Sequence, residues 1–240
     1  MNWTRLQGWR FVKPDWRITG ATLLFCALTV VAGNWQSGKA AYKQTLQERF
    51  DERSASVATP LSESLVEGAD YDQRPVVVRG TYLSKYEIFL DNKVHQGKAG
   101  YQLLTPLKIG LSDTHVLINR GWIAQGRTRE DLPQVSASTS MLEIRGVAMV
   151  PGSRFMELQS GTNTGRVWQN LDLEAYRQWS GLRLQPVVIQ QIGGTEDGLL
   201  REWPRPDFGI DKHRIYALQW YSFCVLAVFL YVFFHFKRKS

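Results

Sequence analysis

The 240-residue chain has only two cysteines, Cys26 and Cys224, and none in the long stretch 36–212 between them. That absence excludes a disulfide framework, a thiol redox motif and a thiol-based copper relay from the stretch. Both cysteines sit inside apolar runs. If those runs pack together, the two thiols can serve as zinc or copper ligands; otherwise they are the inert buried cysteines common in small cores. We read them as inert.

Charge is missing in two places. Residues 215–236 hold no Asp, Glu, Lys or Arg, and at about 1.5 Å per residue they extend about 33 Å against a hydrocarbon core of about 30 Å. A membrane-spanning helix is expected there. Residues 18–33 are also uncharged, with Trp16 and Trp35 placed as interfacial anchors and Arg17 able to snorkel. A first span over 16–35 follows. It reads as an uncleaved anchor and not a signal peptide, because Val31 and Gly33 make a poor cleavage pair and Trp35 follows directly.

Catalytic signatures are absent too. No Gly-x-Ser-x-Gly, His-Glu-x-x-His or phosphate-binding glycine loop occurs, and the carboxylates are scattered. His95 and His115 fall on a turn and a strand without a clear acidic partner, as exposed or strand-surface histidines. An activated nucleophile needs a base and an orienting group, so the chain is not expected to be an enzyme.

The charge that is present is concentrated at the ends. Arg5, Arg10, Lys13 and Arg17 precede the first run and Lys237, Arg238 and Lys239 follow the second; less Asp15, they account for nearly all of the net charge of +7. The basic balance thus reports topology and not a nucleic-acid partner. By the positive-inside rule both termini are cytoplasmic. The expected organisation is a cytoplasmic segment 1–15, a transmembrane helix 16–35, a periplasmic domain 36–212, a second transmembrane helix 213–236 and a tail 237–240.

Within the middle region, Tyr42, Leu46 and Phe50 recur every four residues among charges, which predicts a helix over 39–53 continuing out of the membrane. From Pro75 the pattern becomes short β-rich runs: Val76-Val77-Val78, Ile88-Phe89-Leu90, Gln102-Leu103-Leu104, Val116-Leu117-Ile118, then 142–150, 166–171 and 186–192. Asp91-Asn92 and 97–100 read as breaks. One helix covers the sheet, capped by Asp172 and ended by Gly181, with Tyr176 and Trp179 on one face. Gly193-Gly194 and Trp203-Pro204-Arg205-Pro206 form a connector, its Trp suited to the bilayer interface. The expected fold class is an α+β membrane protein, two transmembrane helices flanking one β-rich extracytoplasmic domain, either an antiparallel sheet or a partly closed barrel.

Two places suit a ligand. Asn119-Arg120-Gly121-Trp122 closes a strong strand; Arg120 can hold a carboxylate such as a haem propionate and Trp122 can stack on a planar ligand. The alternative is a strand end in which Arg120 pairs locally, Gly121 bends the chain and Trp122 packs. At the mouth of the second span, His213 shares a helical face with Tyr216, Ala217 and Trp220. It is either a metal or haem ligand or an interfacial anchor. His235 reads as an anchor beside the basic tail.

Four segments carry a resemblance: Gly33-Asn34-Trp35-Gln36, Gly100-Tyr101 with Thr105-Pro106-Leu107, Asn119-Arg120-Gly121-Trp122, and His213 through Trp220. In that order, between two apolar runs, they resemble the Surfeit locus protein 1 family of cytochrome c oxidase assembly factors. The chain departs from the family pattern at Ser37-Gly38-Lys39, at Ala124 and at Asp211-Lys212. The resemblance implies an inner-membrane assembly factor for haem-copper oxidases that handles haem a for the catalytic subunit, alongside other oxidase assembly factors. It implies His213 as a transient haem-iron ligand, with Tyr216, Gln219 and Trp220 near it. The alternative it leaves is a cofactor-free scaffold for oxidase assembly intermediates.

Overall fold

A computed structural model describes residues 9–126, 132–152, 165–194 and 197–238; Arg5 and Lys239, used above for topology, lie outside the described residues. In chain order the elements are β1 (Trp9–Phe11), α1 (Trp16–Ser54), β2 (Thr59–Pro60), α2 (Gly68–Tyr71), β3 (Arg74–Tyr82), β4 (Ile88–His95), β5 (Lys98–Ile109) and β6 (Thr114–Ala124), followed by β7 (Leu142–Met149), β8 (Val167–Trp168), α3 (Leu173–Ser180), β9 (Arg183–Gln191), α4 (Ile210–His235) and β10 (Phe236–Arg238). They fall into two units, one holding residues 1–49 and 207–240, the other Phe50–Pro206.

The first unit is an antiparallel helix pair. α1 runs unbroken for 39 residues, so the first apolar run and the amphipathic stretch after it are one helix. α4 starts at Ile210, before His213, and ends at His235. Both helices are long and apolar enough to cross a membrane. Their outer faces expose Leu23, Leu28, Val31, Val225, Phe229 and Phe233. Beyond the helices, β1 pairs antiparallel with β10, Trp9 opposite Arg238.

The two helices meet along small and polar residues. Thr19 Oγ1 and Tyr231 Oη lie 2.8 Å apart, the Cys26 thiol approaches the Cys224 carbonyl at 3.8 Å, and Thr29, Gly33, Ala40 and Ala217 are buried. Close packing of small residues and interhelical hydrogen bonds set the register. The Cys26 thiol reaches the partner helix, and no group of three or more His, Cys, Asp or Glu suited to a metal occurs among the described residues.

The second unit is built on an eight-stranded sheet in the order β2-β3-β7-β9-β6-β5-β4-β8, with β3 pairing also to β5 through Gly80–Ile109, Thr81–Lys108 and Tyr82–Leu107. Five strands thereby form a circuit of pairings. The sheet is mixed, which corrects the antiparallel alternative of the two expected: β2 with β3, β4 with β8 and β6 with β9 run parallel. The period-two pattern of a strand fixes which face each side chain takes but carries nothing about the neighbour's direction, which the long connection through α3 decides here.

Both faces of the sheet are buried. Val116 and Ile118 belong to one cluster with Val76, Val78, Val187 and Ile189, while Leu117 and Val188 turn the other way, onto Ile88, Leu104, Trp168 and Tyr176 of α3. That is why these strands read as continuous apolar runs and not as alternation. α3 has the caps the residues predict: Asp172 Oδ1 accepts from the Glu174 and Ala175 amides at 2.8 and 3.1 Å, and Gly181 takes φ 69°.

Three local expectations change. Asp91-Asn92 is not a break: β4 continues through it on a bulge between Leu90 and Lys93, with Asn92 at φ 59° and its amide held by Asp91 Oδ1 at 2.7 Å. The turn is instead Gln96-Gly97, both at positive φ, the pair a tight hairpin requires. β8 covers only two residues of the 166–171 run.

Candidate functional site

The mouth of the helix pair is assembled by the Gly33-Asn34-Trp35-Gln36 segment. A Cβ on Gly33 would stand 2.5 Å from the Tyr221 ring, so glycine is what lets α4 lay that ring against α1. The Tyr221 hydroxyl donates to Asn34 Oδ1 at 2.8 Å and lies 3.3 Å from Ser37 Oγ. Farther along, Arg214 Nη2 donates to Gln44 Oε1 at 2.9 Å. Trp35 stays 60% exposed, with Lys39 Nζ over its ring at 5.8 Å.

Gln36 completes the set. Its Oε1 sits 2.7 Å from His213 Nδ1. An amide oxygen only accepts, so in the neutral ring the proton is on Nδ1 and the lone pair is on Nε2. No second hydrogen bond occupies His213 among the described residues, and the ring is half-buried. This is the arrangement by which ligand imidazoles are oriented, with the distal nitrogen free and the proximal N–H tied to an acceptor. A single imidazole nitrogen suits a haem iron; it does not make up a zinc site, which takes about four ligands.

The neighbours named in the sequence divide. Ala217 is buried, and Trp220 is half-buried, edge-on to Phe223 at 5.9 Å. Tyr216 is 52% exposed and Gln219 is exposed. At the far end of α4, His235 Nδ1 lies 2.6 Å from the Tyr231 carbonyl, and its ring lies tilted against that of Tyr231 with centres 4.6 Å apart.

Arg120 and Trp122 belong to the sheet unit. Gly121 between them is at φ 139°, and a Cβ there would meet the Leu200 carbonyl at 2.7 Å. The bend lets Trp122 and Leu200 exchange backbone hydrogen bonds of 2.7 and 2.8 Å. Trp122 Nε1 donates to the Lys93 carbonyl at 2.6 Å, and its ring lies 5.1 Å from that of His95. Gly100 admits the indole, since a Cβ there would stand 2.5 Å from it. The Gly100-Tyr101 and Asn119–Trp122 motifs are thus one contact. Arg120 is buried, its Nη2 donating to the Ser136 carbonyl at 2.8 Å and to Asp197 Oδ2 at 3.2 Å, with its guanidinium 4.9 Å from the Tyr82 ring centre.

Two histidines differ from expectation. His95 has an acidic partner, Glu202, at 3.5 Å, supplied by the returning connector far away in sequence. His115 is buried, and that burial lowers its pKa, partly offset by the backbone at Arg183 and Asp113. Trp203 is also satisfied locally, its indole N–H on the Gln191 carbonyl at 2.9 Å. Sequence reasoning missed the roles of Gln36, Tyr221, Asp197 and Arg201. Only Gln36 carried a signal, its place beside Gly33 and Asn34 ahead of the amphipathic stretch.

The profile of the SURF1 family matches residues 23–225. The Surfeit locus protein 1 of Xenopus tropicalis is 21% identical over 230 residues, which span 87% of this chain and 73% of the relative. That of Takifugu rubripes is 22% identical over 87% of this chain and 93% of its own. The yeast cytochrome oxidase assembly protein SHY1 is 26% identical over 187 residues, 75% of this chain and 48% of its own.

Proposed function

The chain belongs to the SURF1 family, and on that premise we propose that it is a non-catalytic membrane factor in cytochrome oxidase assembly that holds haem a for the catalytic subunit through His213. The name of the SHY1 relative supports the assembly role. The single observation that supports His213 is its hydrogen bond to Gln36, which leaves Nε2 as the donor atom.

Haem bound there would be held through the His213 imidazole and would supply the iron centre that the oxidase needs. Gln36 fixes the ring's tautomer and orientation, and Tyr221 against Gly33 holds the two helices at the distance this bond requires. One ligand, in place of a closed pair, keeps binding reversible, which delivery to another protein demands. Tyr216 and Trp220 flank the ligand on α4. Arg120 and Trp122 are engaged inside the sheet unit and take no part in this reading.

The proposed setting is the cell inner membrane, crossed by α1 and α4, with both termini cytoplasmic beside Arg10, Lys13, Arg17, Lys237 and Arg238. The sheet unit is then periplasmic, available to the oxidase catalytic subunit and other assembly factors. The test is complementation of a strain lacking the chain, read as haem a content and activity of its oxidase. The wild type restores both and His213→Ala restores neither. Full restoration by His213→Ala supports the cofactor-free scaffold instead.

A further inference from the structure

The sheet unit holds a second charged cluster that the haem reading does not use. The side chains of Arg120 and Arg201 are only 3% and 4% exposed, yet a single carboxylate oxygen serves both: Asp197 Oδ2 accepts from Arg120 Nη2 at 3.2 Å and from Arg201 Nη2 at 2.5 Å. Arg201 Nη1 reaches only the Leu199 carbonyl, at 3.5 Å. Arg120 Nε, Arg120 Nη1 and Arg201 Nε are buried with no hydrogen-bond partner among the described residues.

Two nearby groups do not make up the difference. Glu87 has its pKa raised by burial against the opposing pull of Arg166 and Arg120; its Oε1 is bonded to Arg166, and its Oε2 has no hydrogen-bond partner among the described residues. Tyr82 lies beneath the Arg120 guanidinium; burial pushes its phenol up to about 12, so it stays neutral, and its hydroxyl donates to Gln191 Oε1 at 3.1 Å. Among the described residues, three guanidiniums therefore face two carboxylates. Water can satisfy an N–H group but cannot cancel a charge, and an uncompensated buried charge is among the costliest things a fold can hold.

We propose that Arg120, above the Tyr82 ring, and Arg201 form a binding site for one small monovalent carboxylate. The burial of the donors selects a compact ligand, and the surplus of one positive charge selects a monovalent one. A carboxylate suits two guanidiniums better than a halide does, because its two oxygens accept from both at once in charge-assisted hydrogen bonds. The site stands on Arg120, Arg201 and Asp197 alone and does not depend on the role of His213.

The test uses the full chain in detergent, with acetate as the probe against chloride at matched ionic strength. Binding to the folded state raises the unfolding midpoint saturably. The wild type is expected to show a saturable upward shift with acetate and not with chloride, and Arg201→Gln, which keeps the Arg120–Asp197 pair, is expected to lose it. In parallel, the 15N resonances of Arg120 Nε and Arg201 Nε in the wild type should move on the same acetate titration, a readout that holds even if the variant folds poorly. Equal responses to acetate and chloride, an unchanged acetate response in Arg201→Gln, or stationary Nε resonances would overturn the site.

Discussion

Gln36 and His213, 177 residues apart in sequence, face each other across the helix pair with Oε1 and Nδ1 2.7 Å apart. The bond assigns the imidazole proton to Nδ1 and leaves Nε2 as the only nitrogen able to bind a metal. Gln36→Leu removes the acceptor without removing the ligand. Loss of such a supporting group typically weakens metal affinity by about 10–100-fold. The expected outcome is haem released at lower haem-binding-protein concentrations than in wild type, and a mixed Nδ1/Nε2 tautomer population of His213 by 15N NMR of the haem-free protein. An unchanged tautomer would show that Gln36 does not orient the ring.

Gly33→Leu tests the helix register. Its Cβ would stand 2.5 Å from the Tyr221 ring, and overpacking of this kind costs about 1–3 kcal/mol. The thermal midpoint of the detergent-solubilised protein should fall. Adding Tyr221→Ala to that background should recover part of the loss, the coupling expected of residues in contact. Strict additivity would place the two residues apart.

The sequence carried the apolar runs, the α3 caps and most strands, because period and capping are local. It carried less of what joins them. The Gly33-Asn34-Trp35-Gln36 segment stands out as a motif, but its meaning lies in Tyr221 and His213, which only the antiparallel helix pair brings to it. His95 has no acidic neighbour in the sequence around it, and Glu202 reaches it only because the connector returns along the sheet. The same return sets Asp197 and Arg201 beside Arg120. Strand direction likewise depended on a connection whose path no periodicity encodes, so the parallel β6–β9 pair was not legible.

Gly121→Ala is expected to loosen the connector. The residue sits at φ 139° with the Leu200 carbonyl 2.7 Å from a would-be Cβ, and backbone strain of this sort costs about 1–3 kcal/mol. Amide exchange at Trp122 and Leu200, whose mutual hydrogen bonds depend on the bend, should accelerate ahead of exchange at Val188 and Ile189 in the core. Uniform protection across all four would show that the bend is not what holds the connector.

His115 makes the sheet unit sensitive to acid. Burial holds its folded pKa below the ordinary 6.5, so the unfolded chain binds the proton first as pH falls. Stability is therefore complete above about 6.5 and is lost as pH drops from there toward the folded pKa. His115→Gln should flatten the pH dependence of the unfolding midpoint in that window. The same slope in the variant would assign the sensitivity to another group.

The most direct test of the haem reading is the visible spectrum of the protein purified from cells that make haem a, wild type beside His213→Ala, with haem quantified per chain. The account predicts a haem a spectrum in the wild type and its loss in the variant at equal yield of folded protein. Equal haem content in the two would contradict it and remove His213 from the mechanism.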